Sequence, residues 1–267
     1  MSAKIKSSKP GPRGGRDLLG AAQDIIYDAW EYRAPMKRTA LARKALKLSA
    51  DCADAYVLLA ETAATPAQAL ELYRKGVEAG ERALGKEAFD NDAGHFWGVL
   101  ATRPYMRARA GLAQSLWDRG NHDDALAHWR DLLRLNPNDN QGIRYVLAAR
   151  LLELGRDREL AALLKEHQDD GRAFMIWTRA LFAFRTEGDN PKSRRALAHA
   201  LESNPHVPAY LLGAKPIPRE LPDYTGLGDE SEAMCWAAEN IKAWQATAGA
   251  LAWLAARTGA TKPPLLN

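Results

Sequence analysis

Apolar and small residues recur along most of this chain at helical spacing, in paired runs separated by short polar breaks. The clearest pair spans Met106–Asn140. Ala108, Leu112, Ala113 and Leu116 fall at spacings that place them on one helical face. Gly120-Asn121 breaks that run, since glycine reaches the left-handed region and asparagine tolerates it. A second series follows at Ala125, Leu126, Trp129, Leu132 and Leu133, and Asn136-Pro137-Asn138-Asp139 stops it. The pattern predicts two antiparallel helices joined by a tight turn.

Weaker copies flank this unit. Ile25, Ile26 and Ala29 predict one helix and Ala42, Ala45, Leu46 and Leu48 the next, with Arg33-Ala34-Pro35 between them. Ala55, Leu58 and Leu59 begin another, which stops at Ala64-Thr65-Pro66 before Ala69, Tyr73 and Gly76 fill its partner. Leu59 and Ala69 are 10 residues apart where Leu112 and Ala125 are 13 apart, so this unit is about one turn short. Downstream, Gln141–Ala173 carries Leu147, Ala148, Leu151, Gly155, Leu160 and Leu164 in phase. Phe174–Val207 carries Trp177, Leu181, Phe184, Gly188, Leu197, Ala200 and Pro205. A helix–turn–helix period of about 34 residues is similar to the tetratricopeptide repeat. Leu112, Ala113, Leu116, Gly120, Ala125, Trp129 and Pro137 match its signature positions. The expected fold is all-α, a tetratricopeptide-type helical-hairpin solenoid of about five units with a C-terminal helical cap.

The expected organisation follows from where the pattern holds. Degenerate repeats occupy 17–84, and three contiguous repeats occupy 106–207. Between them, 85–105 is too long for an inter-repeat turn and carries Phe89, Phe96, Trp97 and Tyr105, an aromatic insertion expected to pack over the repeats. Pro216, Pro218 and Pro222 predict an extended stretch at the start of a C-terminal module, 208–258. There Asp229 with Glu232 suggests a capping box ahead of Met234, Trp236, Ala237, Ile241 and Trp244, and a last short helix holds Leu251, Trp253 and Leu254. Residues 259–267 are expected to fray.

Charge changes the picture at one end. The net charge is +4, and residues 1–16 contribute +5 through Lys4, Lys6, Lys9, Arg13 and Arg16 with no acid, leaving 4 − 5 = −1 for the rest. Those first residues are predicted to be a disordered basic tail, suited either to solubility or to a nucleic-acid or acidic surface. Apolar residues at 46% and charged residues at 26% are globular values, enough for a sizeable core. Cys52 and Cys235 offer neither a disulfide framework nor metal spacing, and no apolar run nears the ~20 residues of a membrane span. A cytoplasmic location is expected.

AQDIIYDAWEYR, CADAYVLLAE, Glu78-Ala79-Gly80-Glu81, NPHVPAYLL and GDESEAMCWAAENIKAWQATAGAL together resemble the suppressor of tumorigenicity 7 family, in the family's order. GHFWGVLATRPYMRARAGLA and LNPNDNQGIRYVL resemble uncharacterised bacterial tetratricopeptide proteins related to it. The resemblance implies a helical repeat scaffold without established catalysis, and carries over no catalytic residues. Animal members have N-terminal membrane segments, and no matching apolar run is present here.

Candidate chemistry is sparse. No two histidines stand at i, i+4, and the acids Asp123 and Asp124 after His122 suit a helix N-terminus without a metal. Gly226-Leu227-Gly228 is followed by Asp229, Glu230 and Glu232, which would repel phosphate. Acids and apolar neighbours around Cys235 predict a raised thiol pKa rather than a nucleophile. No cofactor and no catalytic residue is expected. Arg103, Arg107 and Arg109 form the densest basic cluster, with either an anionic partner or ion pairs to Glu87, Asp90 or Asp92. By phase, the first helix of each repeat should present Tyr27 and Trp30; Glu61; Arg107, Gln114 and Trp117; Tyr145, Ala149 and Leu152; Thr178, Phe182 and Arg185 to a concave groove. This lining is aromatic, and Ala110 and Gln114 stand where a carboxylate clamp for acidic chaperone tails needs lysine and asparagine. A peptide with apolar anchors is the expected partner, bound by a non-enzymatic scaffold.

Overall fold

The computed structural model describes residues 17–259, which are helical throughout apart from turns, loops and two 3-10 segments, with no strand among them. Ten of the helices form five consecutive hairpins: α1 (Leu18–Trp30) with α2 (Pro35–Leu48), α3 (Ala53–Glu61) with α4 (Pro66–Asn91), α5 (Arg103–Asp118) with α6 (His122–Leu135), α7 (Ile143–Glu153) with α8 (Asp157–Glu166), and α9 (Ala173–Glu187) with α10 (Pro191–Ser203). After them come α11 (Val207–Leu211), α12 (Glu230–Ala246) and α13 (Ala250–Thr258). The chain divides into two compact units, one ending at Asn140 and the other beginning at Gln141.

In the first unit, three hairpins stack through small residues. Ala22, Ile26 and Ala29 of α1 meet Ala42 and Ala45 of α2 and Ala55 and Leu58 of α3, all fully buried. Alanine on facing helices lets backbones approach while costing no side-chain entropy. Between α4 and α5 the approach is closer and reciprocal. Tyr105 of α5 lies over Gly80 of α4, where an added Cβ would come within 2.8 Å of the tyrosine Cβ. Tyr73 of α4 lies over Gly111 of α5, where an added Cβ would come within 2.1 Å of its ring. Each helix thus supplies one glycine socket and one tyrosine knob.

Residues 85–105 are not wholly outside the repeat helices. Helix α4 runs on to Asn91, bent at Gly85, whose φ of 65° and ψ of 171° lie outside helical values. Short 3-10 turns at Phe96–Gly98 and Leu100–Thr102 then lead into α5. Phe89, Phe96 and Tyr105 form a ring cluster with centroids 5.1–6.2 Å apart, and Phe96 and Tyr105 are buried. The Gly94 N–H donates to the Leu135 carbonyl at 2.9 Å, tying this segment to the end of α6.

In the second unit, α12 packs against α7 and α9, the first helices of their hairpins, and α13 packs against α9. Trp177 of α9 meets Trp236 and Trp244 of α12 at 5.7 and 6.1 Å, and Phe184 of α9 stacks on Trp253 of α13 at 4.4 Å. The start of α12 corrects the expected capping box. Asp229 does cap the helix, accepting the Glu232 N–H at 3.0 Å. The Glu232 carboxylate does not return to the Asp229 backbone. Fully buried, it accepts from the N–H groups of Gly228 and Ala173 and from Asn204 Nδ2, joining three segments of the unit. A buried carboxylate needs several donors, and one backbone N–H at a helix start would not have sufficed.

Candidate functional site

Three residues expected on the repeat face converge in the first unit. Tyr27 and Trp30 of α1 have ring centroids 5.9 Å apart, and the guanidinium of Arg107, from α5, sits 5.0 Å from the Trp30 ring. What holds the arginine is Asp54, a fully buried carboxylate in the first turn of α3. Arg107 Nε donates to Asp54 Oδ1 at 2.8 Å, and Arg107 Nη2 donates to Oδ2, making a bidentate pair. Gln23 of α1 completes the set, with Nε2 donating to Asp54 Oδ2 at 2.7 Å. A glutamine, an aspartate and an arginine from three successive first helices thus make one polar ladder. Tyr27, 46% exposed, and Trp30, partly buried, lie at its edge.

Next to the ladder, and sharing Gln23 and Tyr27 with it, opens a cleft of about 320 Å³. Its walls come from α1, the start of α3, α4 and the segment leading into α5. Leu19, Ala83, Leu100 and Pro104 give it an apolar lining, with Asp17, Asp24 and Asp51 among the residues around it.

Elsewhere in the first unit, the predicted residues serve other contacts. Arg103 donates through Nε to the Trp97 carbonyl at 2.9 Å and lies over the Trp97 ring at 5.3 Å. Arg109 pairs with Asp131, bonds Tyr105 Oη and reaches His128 Nδ1. The three arginines therefore take partners other than the expected Glu87, Asp90 and Asp92. Trp117, expected on the open face, is only 8% exposed, stacked on His122 at 4.3 Å and set against Trp129. It closes the α5–α6 hairpin. Gln114 is partly buried and bonds Asp118 along its own helix at 2.7 Å.

In the second unit, Tyr145 packs on Phe174 and donates to Asp170, which Arg144 also holds. Burial opposes the Asp170 charge, but the Arg172 N–H and the Arg144 guanidinium outweigh it and hold the carboxyl below its ordinary range. Arg185 donates to the Leu152 carbonyl at 2.6 Å and pairs with Asp157. Phe182 is partly buried. The face made by α7 and α9 is lined instead by α12, including an Arg150–Glu239 pair at 2.9 Å.

Sequence reasoning passed over Gln23 and Asp54. The available signal was a lone acid in the apolar run Cys52–Ala60, where a charge needs a partner brought from elsewhere. Neither thiol is prepared for attack. Burial pushes Cys52 up to about 11, and burial followed by the charges of Glu239 and Asp229 raises Cys235. Among the described residues, no group of three or more His, Cys, Asp or Glu side chains is placed to hold a metal, and no helix is long and apolar enough to cross a membrane.

These features define an all-α protein of tetratricopeptide-type helical hairpins. The model of the ST7 protein family matches residues 15–261, and the chain belongs to that family. It is 31% identical over 258 residues to a suppressor of tumorigenicity 7 protein-like from Bos taurus, covering 88% of this chain and 46% of that protein. A protein ST7 homolog from Drosophila pseudoobscura pseudoobscura is 30% identical over 254 residues, covering 85% and 46%. The chain thus spans about half the length of the curated relatives it matches. Among solved structures, it is similar to YrrB, described as a TPR protein with an unusual peptide-binding site, at 18% identity and a TM-score of 0.43, covering 70% of this chain and 92% of that one.

Proposed function

We propose that this chain is a non-enzymatic interaction scaffold that holds a peptide segment of a partner protein on the first unit, over Tyr27, Trp30 and Arg107. The observation that carries this reading is the ladder itself. A bidentate Arg107–Asp54 pair fixes a cation beside a partly buried tryptophan and a half-exposed tyrosine, a preorganised surface of the residue types that dominate binding hot spots. In the second unit, α12 covers the corresponding face with its own tryptophans. In the cleft of about 620 Å³ that remains between α7, α9 and α12, Arg185 is already held by the Leu152 carbonyl and Asp157.

The test is in-cell crosslinking followed by purification of the full chain, comparing wild type with Tyr27→Ala and Trp30→Ala. Recovery of a specific partner should fall about tenfold or more for each variant, which corresponds to roughly 1.4 kcal/mol. Thermal melting should change little for Tyr27→Ala, whose ring is half in solvent. Equal recovery of every partner by wild type and both folded variants would exclude this face.

A further inference from the structure

We infer that the cleft beside the ladder selects a partner segment in which a lysine or arginine neighbours an apolar side chain. The inference rests on the reading above and names the partner's chemistry. Its first support is charge. Three carboxylates, Asp17, Asp24 and Asp51, are among the lining residues, and no lysine, arginine or histidine is among the described residues that line the cleft. Two of the three already have duties: Asp17 accepts the Gly20 N–H at 3.0 Å as the cap of α1, and Asp51 pairs with Arg82 at 2.8 Å. Asp24 is exposed, has no ion pair among the described residues and stands one turn before Tyr27 on α1. It is the carboxylate left to meet a ligand. An acidic segment would be repelled here, and a wholly apolar one would cover Asp24 without compensating its lost hydration.

The second support is the apolar lining. Leu100, on a 3-10 turn, is 66% exposed, and Tyr27 is 46% exposed, so both offer apolar area that the fold itself does not cover. A cation beside Asp24 would also lie within reach of the Tyr27 ring, which attracts positive charge through its face. The third support is continuity. Gln23 belongs to both ladder and cleft, and Tyr27 borders both, so a chain lying over Trp30 continues into the cleft without leaving the surface. That favours a peptide over a free amine. The volume of about 320 Å³ suits one or two side chains rather than a folded element.

The experiment is fluorescence anisotropy on the full chain with three labelled peptides: one alternating leucine and lysine between glycines, one with glutamate for lysine, and one with serine for leucine. The leucine–lysine peptide should bind one to one and the other two at least about tenfold more weakly. Asp24→Lys and Leu100→Ser should each weaken it about tenfold with unchanged melting, because both side chains face solvent. Equal binding of all three peptides, or wild-type affinity in both variants, would overturn the proposal. So would displacement of the peptide by spermidine at equal concentration, which would assign the cleft to free amines. Binding seen only after removal of residues 1–16 would assign the cleft to the chain's own basic segment and would overturn the proposal as well. If Tyr27→Ala abolishes binding while Asp24→Lys does not, the face stands and the cleft falls. If wild type and the variant lacking residues 1–16 bind none of the three, the cleft proposal falls, and the face is decided by the crosslinking comparison.

Discussion

Asp54 is a charge placed where its helix neighbours, Ala53, Ala55, Val57 and Leu58, are all buried and apolar. Its carboxylate survives there because Arg107 and Gln23 supply donors from two other helices. Removing Arg107 leaves the acid with the glutamine alone. The magnitude lies between the ~1 kcal/mol of a surface pair and the ~4 kcal/mol of breaking a buried one, because the arginine side chain is itself 26% exposed. Arg107→Ala should therefore lower stability by about 2 kcal/mol in denaturant titration, with the double variant Arg107→Ala, Asp54→Ala less damaged than the single. A single variant as stable as wild type would mean the pair contributes nothing. Helical spacing puts Tyr27 and Trp30 on one face of α1, and repeat register puts Arg107 at the matching face of α5, both visible in a sequence. The same rule puts Trp117 there too. It cannot register that a tryptophan at a helix end folds back onto its own hairpin, stacking on His122. Gln23 and Asp54 are hard to read for a different reason: the lone acid in an apolar run calls for partners, but these lie 31 residues before it at Gln23 and 53 residues after it at Arg107, and no local pattern encodes those distances.

At the scale of elements, hairpins with strong apolar phase are legible and their junctions are not. Turn chemistry marks the ends of α5 and α6, whereas Gly85 looks like a break and is a bend inside α4. The glycine–tyrosine lock between α4 and α5 is legible only as two glycines at odds with helix propensity. Its energetics decide a sign. Gly→Ala inside a helix ordinarily stabilises by up to ~1 kcal/mol. At Gly111 the new methyl would overlap the Tyr73 ring at 2.1 Å, and displacing a ring packed between two helices costs roughly 1–3 kcal/mol. Gly111→Ala should therefore lower the melting temperature, and the pair Gly111→Ala, Tyr73→Leu should recover part of the loss. A higher melting temperature for the single variant would show that the ring moves aside freely. Helix α12 carries a related lesson. Its apolar positions are visible in the sequence, but the face they cover is not, since an amphipathic pattern gives the stripe and never the partner.

For the whole molecule, the family assignment and the charge distribution point in different directions. The family model matches residues 15–261, and this chain spans about half the length of the relatives, so their remaining half carries no information about the contacts described here. Residues 17–267 carry −1, and residues 1–16, which lie outside the described region except in sequence, carry +5. We expect affinity for a polyanion to rest on those five cations, which stand in a stretch without an acid, and peptide capture on the hairpins, so that the two activities separate. Neutralising up to five phosphates gives a slope of log K against log salt no steeper than about −4.5 for duplex DNA. Filter binding of the full chain to DNA should show that slope or a shallower one, and deletion of residues 1–16 should abolish retention while leaving the melting curve and the leucine–lysine peptide affinity unchanged. A steeper slope, or DNA retention that persists without the first sixteen residues, would require cations from the folded units. Arg103, Arg107 and Arg109 are already held by a carbonyl, a buried carboxylate and a carboxylate–histidine pair, so such a result would point first to α2, where Lys37, Arg43, Lys44 and Lys47 are exposed on a helix that carries no acid.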